Sequence, residues 1–205
     1  MLVTGSRGFV GGHLVPRLEE RGFRTLETDR AELDVCDPEA VDALVASEGP
    51  DAIVHLAALS SVGAARSDPH QAFRVNFAGA RNLCAAVSRH APRARVLLVG
   101  SGEAYGPLGV GAAPFDEGAS LRPVSVYGRS KAAADLLGAS WSARGLDVVR
   151  VRAFNHSGPG QSEAFVLASF ARQLWSIEKG IQEPVLRTGN LESIRDFLQA
   201  SPADV

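Results

Sequence analysis

The chain has 205 residues, enough for one substantial core and short for two full domains. Hydrophobic residues make up 45% and charged residues 21%, and a net charge of −2 gives no electrostatic basis for binding nucleic acid or a membrane surface. No apolar run approaches a membrane span, since Val96–Val99 is bounded by Arg95 and Gly100, and Met1 runs straight into Leu2-Val3-Thr4-Gly5 without a leader pattern, so a cytoplasmic protein is expected.

Short apolar runs alternate with helical patterns, which predicts an α/β fold with a doubly wound parallel sheet. Leu2–Val3 ends a first strand. Residues 8–21 predict a helix with Val10, Leu14 and Leu18 on one face and Pro16 as a potential kink. A second strand is expected at Arg24–Thr28, and Asp37-Pro38 opens a helix through Val45. Ala52–Leu56 is a third strand, and Asp68-Pro69 opens one long helix carrying Phe73, Val75, Leu83 and Val87. Arg95–Gly100 is the clearest buried strand, followed by a Gly/Pro-rich loop over 106–123 and a helix over 124–144. Asp147–Ala153 is a further strand; then come a loop at His156–Gln161, a helix from Ser162 to about Lys179, and the apolar pair Val185–Leu186. Cys36 and Cys84 form no CxxC and are read as a loop residue and a small helix residue; no metal site is expected.

Thr4-Gly5-Ser6-Arg7-Gly8-Phe9-Val10-Gly11 sets three glycines between a strand and a helix. A dinucleotide needs such a turn: the backbone must approach the pyrophosphate, and the helix N-terminus offers N–H groups and a favourable dipole. The alternative is a flexible strand–helix turn, and the strand-before, helix-after context argues against it. Asp29 ends the second strand, where an acidic residue holds the adenosine ribose and favours NAD. Arg30 and Arg7 are placed to hold a 2′-phosphate instead, so the expectation is NAD or NADP with a lean to NAD. Asp34-Val35 is placed to meet the adenine edge, and Leu56-Ala57-Ala58 supplies small residues where the backbone passes the cofactor. His55 is read as a satisfied core histidine rather than a site residue.

Tyr127 and Lys131 stand at i and i+4 on one helix face. Carbonyl reduction needs a proton donor, and a neighbouring cation lowers a phenol pKa towards neutrality. Ser101, at the carboxyl end of a buried strand, offers a hydroxyl to polarise the substrate oxygen. Two residues four apart are common by chance, the alternative being one buried ring and one solvated amine; the order of glycine loop, Ser101 and Tyr127/Lys131 is what favours chemistry.

These parts, with His55-Leu-Ala-Ala58, Val75-Asn76 and Ser101-Gly-Glu-Ala-Tyr-Gly106, resemble the extended short-chain dehydrogenase/reductases that act on nucleotide sugars. The stretches Arg152-Ala-Phe-Asn-His-Ser-Gly-Pro-Gly-Gln161, Phe170-Ala-Arg-Gln173, Glu183-Pro-Val185, Gly189-Asn-Leu-Glu192 and Arg195-Asp-Phe197 are most similar to the GDP-mannose 4,6-dehydratase and GDP-4-dehydro-6-deoxy-mannose reductase branches. The resemblance implies Tyr127 as general acid/base, Lys131 as its partner and Ser101 as donor to the substrate oxygen. It places Asn155 near the nicotinamide and sugar, Phe154 and Gly100 beside the cofactor, and Arg195 at the nucleotide end of the substrate. Asn76, in the cofactor set, would brace the active-site backbone. Glu103 stands where dehydratases carry a catalytic glutamate, with a merely hydrogen-bonding role as the alternative; Gly100-Ser101-Gly102-Glu103 looks more like the reductase branch.

The resemblance further implies a Rossmann domain over 1–155 and an interleaved substrate-binding part over 156–205, shortened because the tail from Leu198 departs from the family pattern. A nucleotide-sugar substrate, a homodimer or larger assembly through the helices at 68–90 and 124–144, and NAD(P)-dependent reduction of a keto-sugar are the corresponding expectations. Cofactor binding without turnover, a dehydratase-type lyase and reduction of smaller carbonyl compounds are the alternatives.

Overall fold

Alternating strand residues build the sheet. In the computed structural model, which describes residues 1–109, 113–192 and 194–200, Leu2, Ile53, Val96 and Leu98 point to one face and Val3, Val54 and Leu97 to the other. The strands β1 (Leu2–Thr4), β2 (Leu26–Thr28), β3 (Ala52–His55), β4 (Arg95–Val99) and β5 (Val148–Val151) form a parallel sheet of order β2-β1-β3-β4-β5. One face is covered by α2 (Pro38–Glu48), α5 (Ala80–His90) and α6 (Val126–Ala143), which contribute Val41, Val45, Leu83, Val87 and Ala134 to the main core. The other face receives Val15 of α1 (Phe9–Glu20), with Leu14 and Leu18 beside it. Helices on both faces make the sheet a doubly wound Rossmann-like one. The strand order reverses between β1 and β3, and there the carboxyl ends open the crevice in which such folds bind ligands.

Several elements differ from their expected form. On α1 the buried residues are Gly11 and Val15 rather than Val10. A Cβ on Gly11 would lie 2.2 Å from the Ser6 carbonyl oxygen, so the missing side chain lets α1 settle onto the loop and turns its buried stripe. Pro16 stays inside the helix, which runs on to Glu20. The long helix expected from Asp68 is three segments: α4 (Pro69–Phe73), a π-helical stretch (Arg74–Gly79) and α5. A further short helix, α3 (Val62–Ser67), precedes them and is capped by Ser61.

The chain divides into two compact units, Met1–Ala153 and Phe154–Val205. The second contains β6 (Asn155–Ser157), α7 (Val166–Glu178) and β7 (Phe197–Gln199), with β6 and β7 paired in parallel, Asn155 opposite Phe197. The segment read as a loop from His156 therefore overlaps a strand, because its partner lies about forty residues on, beyond any local signal. Val185–Leu186 adopts no regular element; Gln173 of α7 holds the adjoining Arg187 backbone through both N–H and C=O. Residues 110–112 of the Gly/Pro-rich loop, and the tail from Ser201, lie outside the described residues. Among the described residues no helix is long and apolar enough to cross a membrane.

Candidate active site

The glycine loop follows from β1. Gly5 has φ +70°, and a Cβ there would stand 2.8 Å from the Ala57 nitrogen, so only glycine lets the loop pass the end of β3. Ser6 anchors the loop to β2, its N–H and hydroxyl both donating to the Thr28 carbonyl at 3.2 and 3.3 Å. Gly8 is the N-cap of α1 and provides no side-chain cap, whereas Asp37 caps α2 and Ser125 caps α6. The first turn of α1 thus carries no side-chain cap and points its dipole at the loop, a setting that favours an anion. Arg7, Phe9 and Val10 flank this start; Phe9 sits edge-on to His13 with ring centroids 5.2 Å apart. Across the crevice Leu56 donates its N–H to the Thr4 carbonyl, and Ala57 and Ala58 continue from it. This cradle fits a dinucleotide pyrophosphate.

The adenosine corner is built by a tight turn after β2. The Asp29 carbonyl accepts the N–H groups of Glu32 and Leu33, and its carboxylate accepts the Arg30 N–H at 2.6 Å. Arg30 is exposed. Glu32 folds back so that Asp29 N–H donates to Oε2 at 3.0 Å and Arg7 donates to Oε1 at 2.5 Å. Those two contacts hold its carboxyl below the usual carboxylate range. Asp34 accepts the Cys36 N–H at 2.9 Å, which lowers its pKa, and Arg74 lies 3.8 Å from it. Val35, expected at the adenine edge, is a core residue at 5% exposure, and its carbonyl accepts from Asn82. Its side chain fills the space left by Gly79, where a Cβ would be 2.8 Å from Cγ2.

The catalytic candidates converge at the carboxyl end of β4. Gly100 donates its N–H to the Val151 carbonyl, and a Cβ on it would be 2.7 Å from that oxygen. Ser101 then caps a 3₁₀ turn, Gly102–Ala104, by accepting the Glu103 N–H. On α6, Gly128 lets the helix approach this turn, since a Cβ would meet the Glu103 carbonyl oxygen at 2.6 Å. Ser101, Tyr127 and Lys131 are all buried. Lys131 is therefore no solvated amine: its ammonium donates to the Val99 carbonyl at 2.8 Å, and burial pulls its pKa down to about 8.

The Tyr127 phenol differs from expectation. Burial raises its pKa, a hydrogen bond with Ser101 lowers it, and the Glu103 charge raises it further. Lys131 is turned to the strand carbonyl, so the phenol is held protonated in this arrangement. The Glu103 carboxylate accepts from the Ser125 hydroxyl at 3.5 Å.

Asn76 braces the site. Its amide oxygen accepts the Leu59 N–H at 2.8 Å, and its nitrogen donates to the Leu59 carbonyl and to Ser130 Oγ. Ser130 in turn donates to the Tyr127 carbonyl at 2.7 Å, so the π-helical stretch bearing Asn76 fixes the turn of α6 that presents Tyr127. Phe154, Asn155 and Arg195 belong to the second unit; Asn155 opens β6, and the exposed Arg195 precedes β7.

Sequence reasoning did not single out Thr4, Ser6, Glu32, Ser125 or Ser130, although the hydroxyls at 4, 6, 125 and 130 stand next to motif residues and could have been found by that adjacency. It also placed His55 as a satisfied core residue. His55 is buried and shares a 2.8 Å hydrogen bond with Thr4 Oγ1 through Nδ1, but its Nε2 has no hydrogen-bond partner among the described residues. Its ring lines a cavity of about 20 Å³ together with Ala57, Asn76, Gly100 and Lys131, roughly the room of one water molecule.

Burial, reinforced by the Lys131 charge, pulls the His55 pKa down to about 3 from 6.5. The native state thus keeps His55 neutral while the unfolded chain takes up a proton below pH 6.5. Stability from this group is complete above pH 6.5 and is lost as pH falls towards 3, by about 4–5 kcal/mol in all. Between pH 6.5 and 4.5, before the carboxylates titrate, urea melts are expected to show a falling stability in the native sequence and a flatter profile in His55→Asn. Equal slopes for the two proteins would reject this account.

Known proteins share this fold. The model of the NAD dependent epimerase/dehydratase family matches residues 1–201. GDP-6-deoxy-D-mannose reductase of Pseudomonas aeruginosa is 36% identical over 201 residues, covering 97% of this chain and 66% of that protein. A dTDP-glucose 4,6-dehydratase of Streptomyces niveus is 34% identical over 87% of this chain and 49% of its own length. The chain therefore spans less than two thirds of the length of these relatives. Among solved structures, RMD from Pseudomonas aeruginosa complexed with NADPH superposes with a TM-score of 0.87 at 34% identity, covering 97% of this chain and 68% of that one. The UDP-glucose 4-epimerase of Thermus thermophilus in complex with NAD does so with a TM-score of 0.84 at 30% identity, over 97% and 70% of the two chains. With the glycine cradle, the buried Ser–Tyr–Lys set and a match over nearly its whole length, the chain belongs to the NAD dependent epimerase/dehydratase family.

Proposed function

We propose that this chain carries the cofactor site and catalytic set of an oxidoreductase that reduces the keto group of a nucleotide-linked sugar, of the GDP-4-keto-6-deoxy-mannose kind. The observation that carries the reading is the burial of Ser101, Tyr127 and Lys131 together, with the phenol hydrogen-bonded to Ser101. A protonated, desolvated phenol is a general acid, which is what reduction requires. The similarity to a GDP-6-deoxy-D-mannose reductase supports the sugar class.

In this reading Gly5, Gly8 and the start of α1 hold the pyrophosphate, with Arg7, Phe9, Val10, Leu56, Ala57, Ala58 and Gly100 around the dinucleotide. Asp29 and Arg30 stand at the adenosine ribose, and Asp34 beyond it. The bound nicotinamide supplies the hydride. Ser101 Oγ–H donates a hydrogen bond to the substrate carbonyl oxygen, which polarises it, and Tyr127 Oη gives up its proton to that oxygen as negative charge develops there. Lys131, its pKa pulled down to about 8 by burial, stabilises the phenolate once its ammonium leaves the Val99 carbonyl and turns to Tyr127. Asn76 and Ser130 hold the helix turn so that the phenol does not have to be positioned during the reaction. Glu103 is assigned to orienting Ser125 and to keeping the phenol protonated.

Phe154 is assigned to the cofactor, Asn155 to the nicotinamide and sugar, and Arg195 to the nucleotide end of the substrate. A cytoplasmic homodimer or larger assembly formed through the helical segments at 68–90 and 124–144 accompanies the reading; Leu136 of α6, 61% exposed, suits such a contact. The test is incubation with GDP-4-keto-6-deoxy-mannose and each reduced nicotinamide cofactor. Consumption of the cofactor with formation of a GDP-deoxyhexose is expected. Cofactor binding by calorimetry with no consumption of either cofactor would overturn it.

A further inference from the structure

The adenosine corner holds a carboxylate that the glycine-loop pattern does not call for. Glu32 reaches back across the 29–33 turn to accept the Asp29 N–H at 3.0 Å and the Arg7 guanidinium at 2.5 Å. The charged groups here come from two elements: Arg7 from the loop after β1, and Asp29, Arg30 and Glu32 from the turn after β2. Asp34 and Arg74 lie further along, 3.8 Å apart. The Asp29 carboxylate is tied to the Arg30 N–H, so it stays at the strand end where ribose hydroxyls are held.

A 2′-phosphate brings up to two negative charges to this corner and needs an arginine fork to receive it. Arg7 is the arginine of the glycine loop, and Glu32 already occupies it. Relatives of the same fold are complexed with NADPH in one case and NAD in another, so the choice is made by individual residues rather than by the fold. We propose that Glu32 sets the cofactor preference: it engages Arg7 and adds a second negative charge beside the ribose, selecting the 2′-hydroxyl dinucleotide over the 2′-phosphate one. The inference rests on the reading of the glycine loop as a dinucleotide site. An exposed ion pair is weak by itself, so the selection comes from where the negative charges stand, and it diminishes as salt rises.

Calorimetric titration of NADH and NADPH at low ionic strength tests it, using the native chain, Glu32→Gln, Arg7→Ala and the double variant. Glutamine keeps an acceptor for the Asp29 N–H while losing the charge. The native chain is expected to bind NADH about tenfold more tightly than NADPH. Glu32→Gln should raise NADPH affinity about tenfold and leave NADH within about twofold, and adding Arg7→Ala should abolish that gain. Arg7→Ala alone should leave NADPH the weaker ligand, since the Glu32 charge stays beside the ribose. An unmoved NADPH-to-NADH ratio in Glu32→Gln, or a gain that persists without Arg7, overturns the inference while tight NADH binding leaves the dinucleotide site standing. Failure of the native chain to bind either dinucleotide overturns both.

Discussion

Tyr127→Phe is expected to lower kcat for keto-sugar reduction by about 10²–10⁴-fold, while the dissociation constant for the reduced cofactor stays within about twofold. The ring is buried and its packing survives the change, because only the hydroxyl is removed. That hydroxyl is held in a desolvated setting between Ser101 and the Glu103 charge. Ser101 remains in the variant to polarise the carbonyl, so a residual rate is expected rather than none. Steady-state kinetics with calorimetry of cofactor binding would check this. A variant that keeps more than about a tenth of the native kcat would remove Tyr127 from the acid role.

The largest stability effect is expected at Asp135. Its side chain is 2% exposed and accepts from Arg152 through two bonds of 2.9 Å and from Arg150 at 2.7 Å. Arg152 is itself only 15% exposed, and it also donates to the Tyr105 hydroxyl and the Glu117 carbonyl. Its guanidinium lies 5.0 Å from the centre of the Tyr105 ring, which stacks on Phe115. Asp135→Ala leaves a buried guanidinium without its counter-charge, at a cost of about 3–5 kcal/mol. An arginine guanidinium stays protonated throughout the accessible pH range, so Arg152 has no route to neutrality that would relieve the cost. Because Tyr105 follows directly on the 3₁₀ turn bearing Ser101 and Glu103, turnover should fall as well as melting temperature. Urea melts at pH 7 would test the first part; a loss under about 1 kcal/mol would show that water reaches Arg152 in the variant.

Much of this site was legible from local spacing. Glycines at 5, 8 and 11 between a strand and a helix, and Tyr127 and Lys131 four residues apart, describe their own geometry, because backbone approach and helix periodicity act over a few residues. The parallel sheet was legible for the same reason: Leu2/Val3 and Ile53/Val54 alternate faces within each strand. Local reasoning erred where a distant partner decided. Val35 looked available to adenine, but Gly79 leaves a space that takes its side chain into the core. The pattern from Asp68 looked like one helix, but Asn76 must reach Leu59 and Ser130, and a π-helical stretch brings it there.

The amino-acid order by itself determined the fold class, the succession of strands and helices, and the candidate residues for binding a dinucleotide and donating a proton. Periodicity, turn chemistry and residue type act locally enough to be read there. Only the tertiary structure decided the pKa shifts and pairings on which the chemistry depends: a phenol raised by burial, a lysine pulled down to about 8, a histidine down to about 3, and Arg7 engaged by Glu32. Burial and the field of neighbouring charges set those properties, and the neighbours come from segments as far apart as Thr4 and His55 or Asn76 and Ser130.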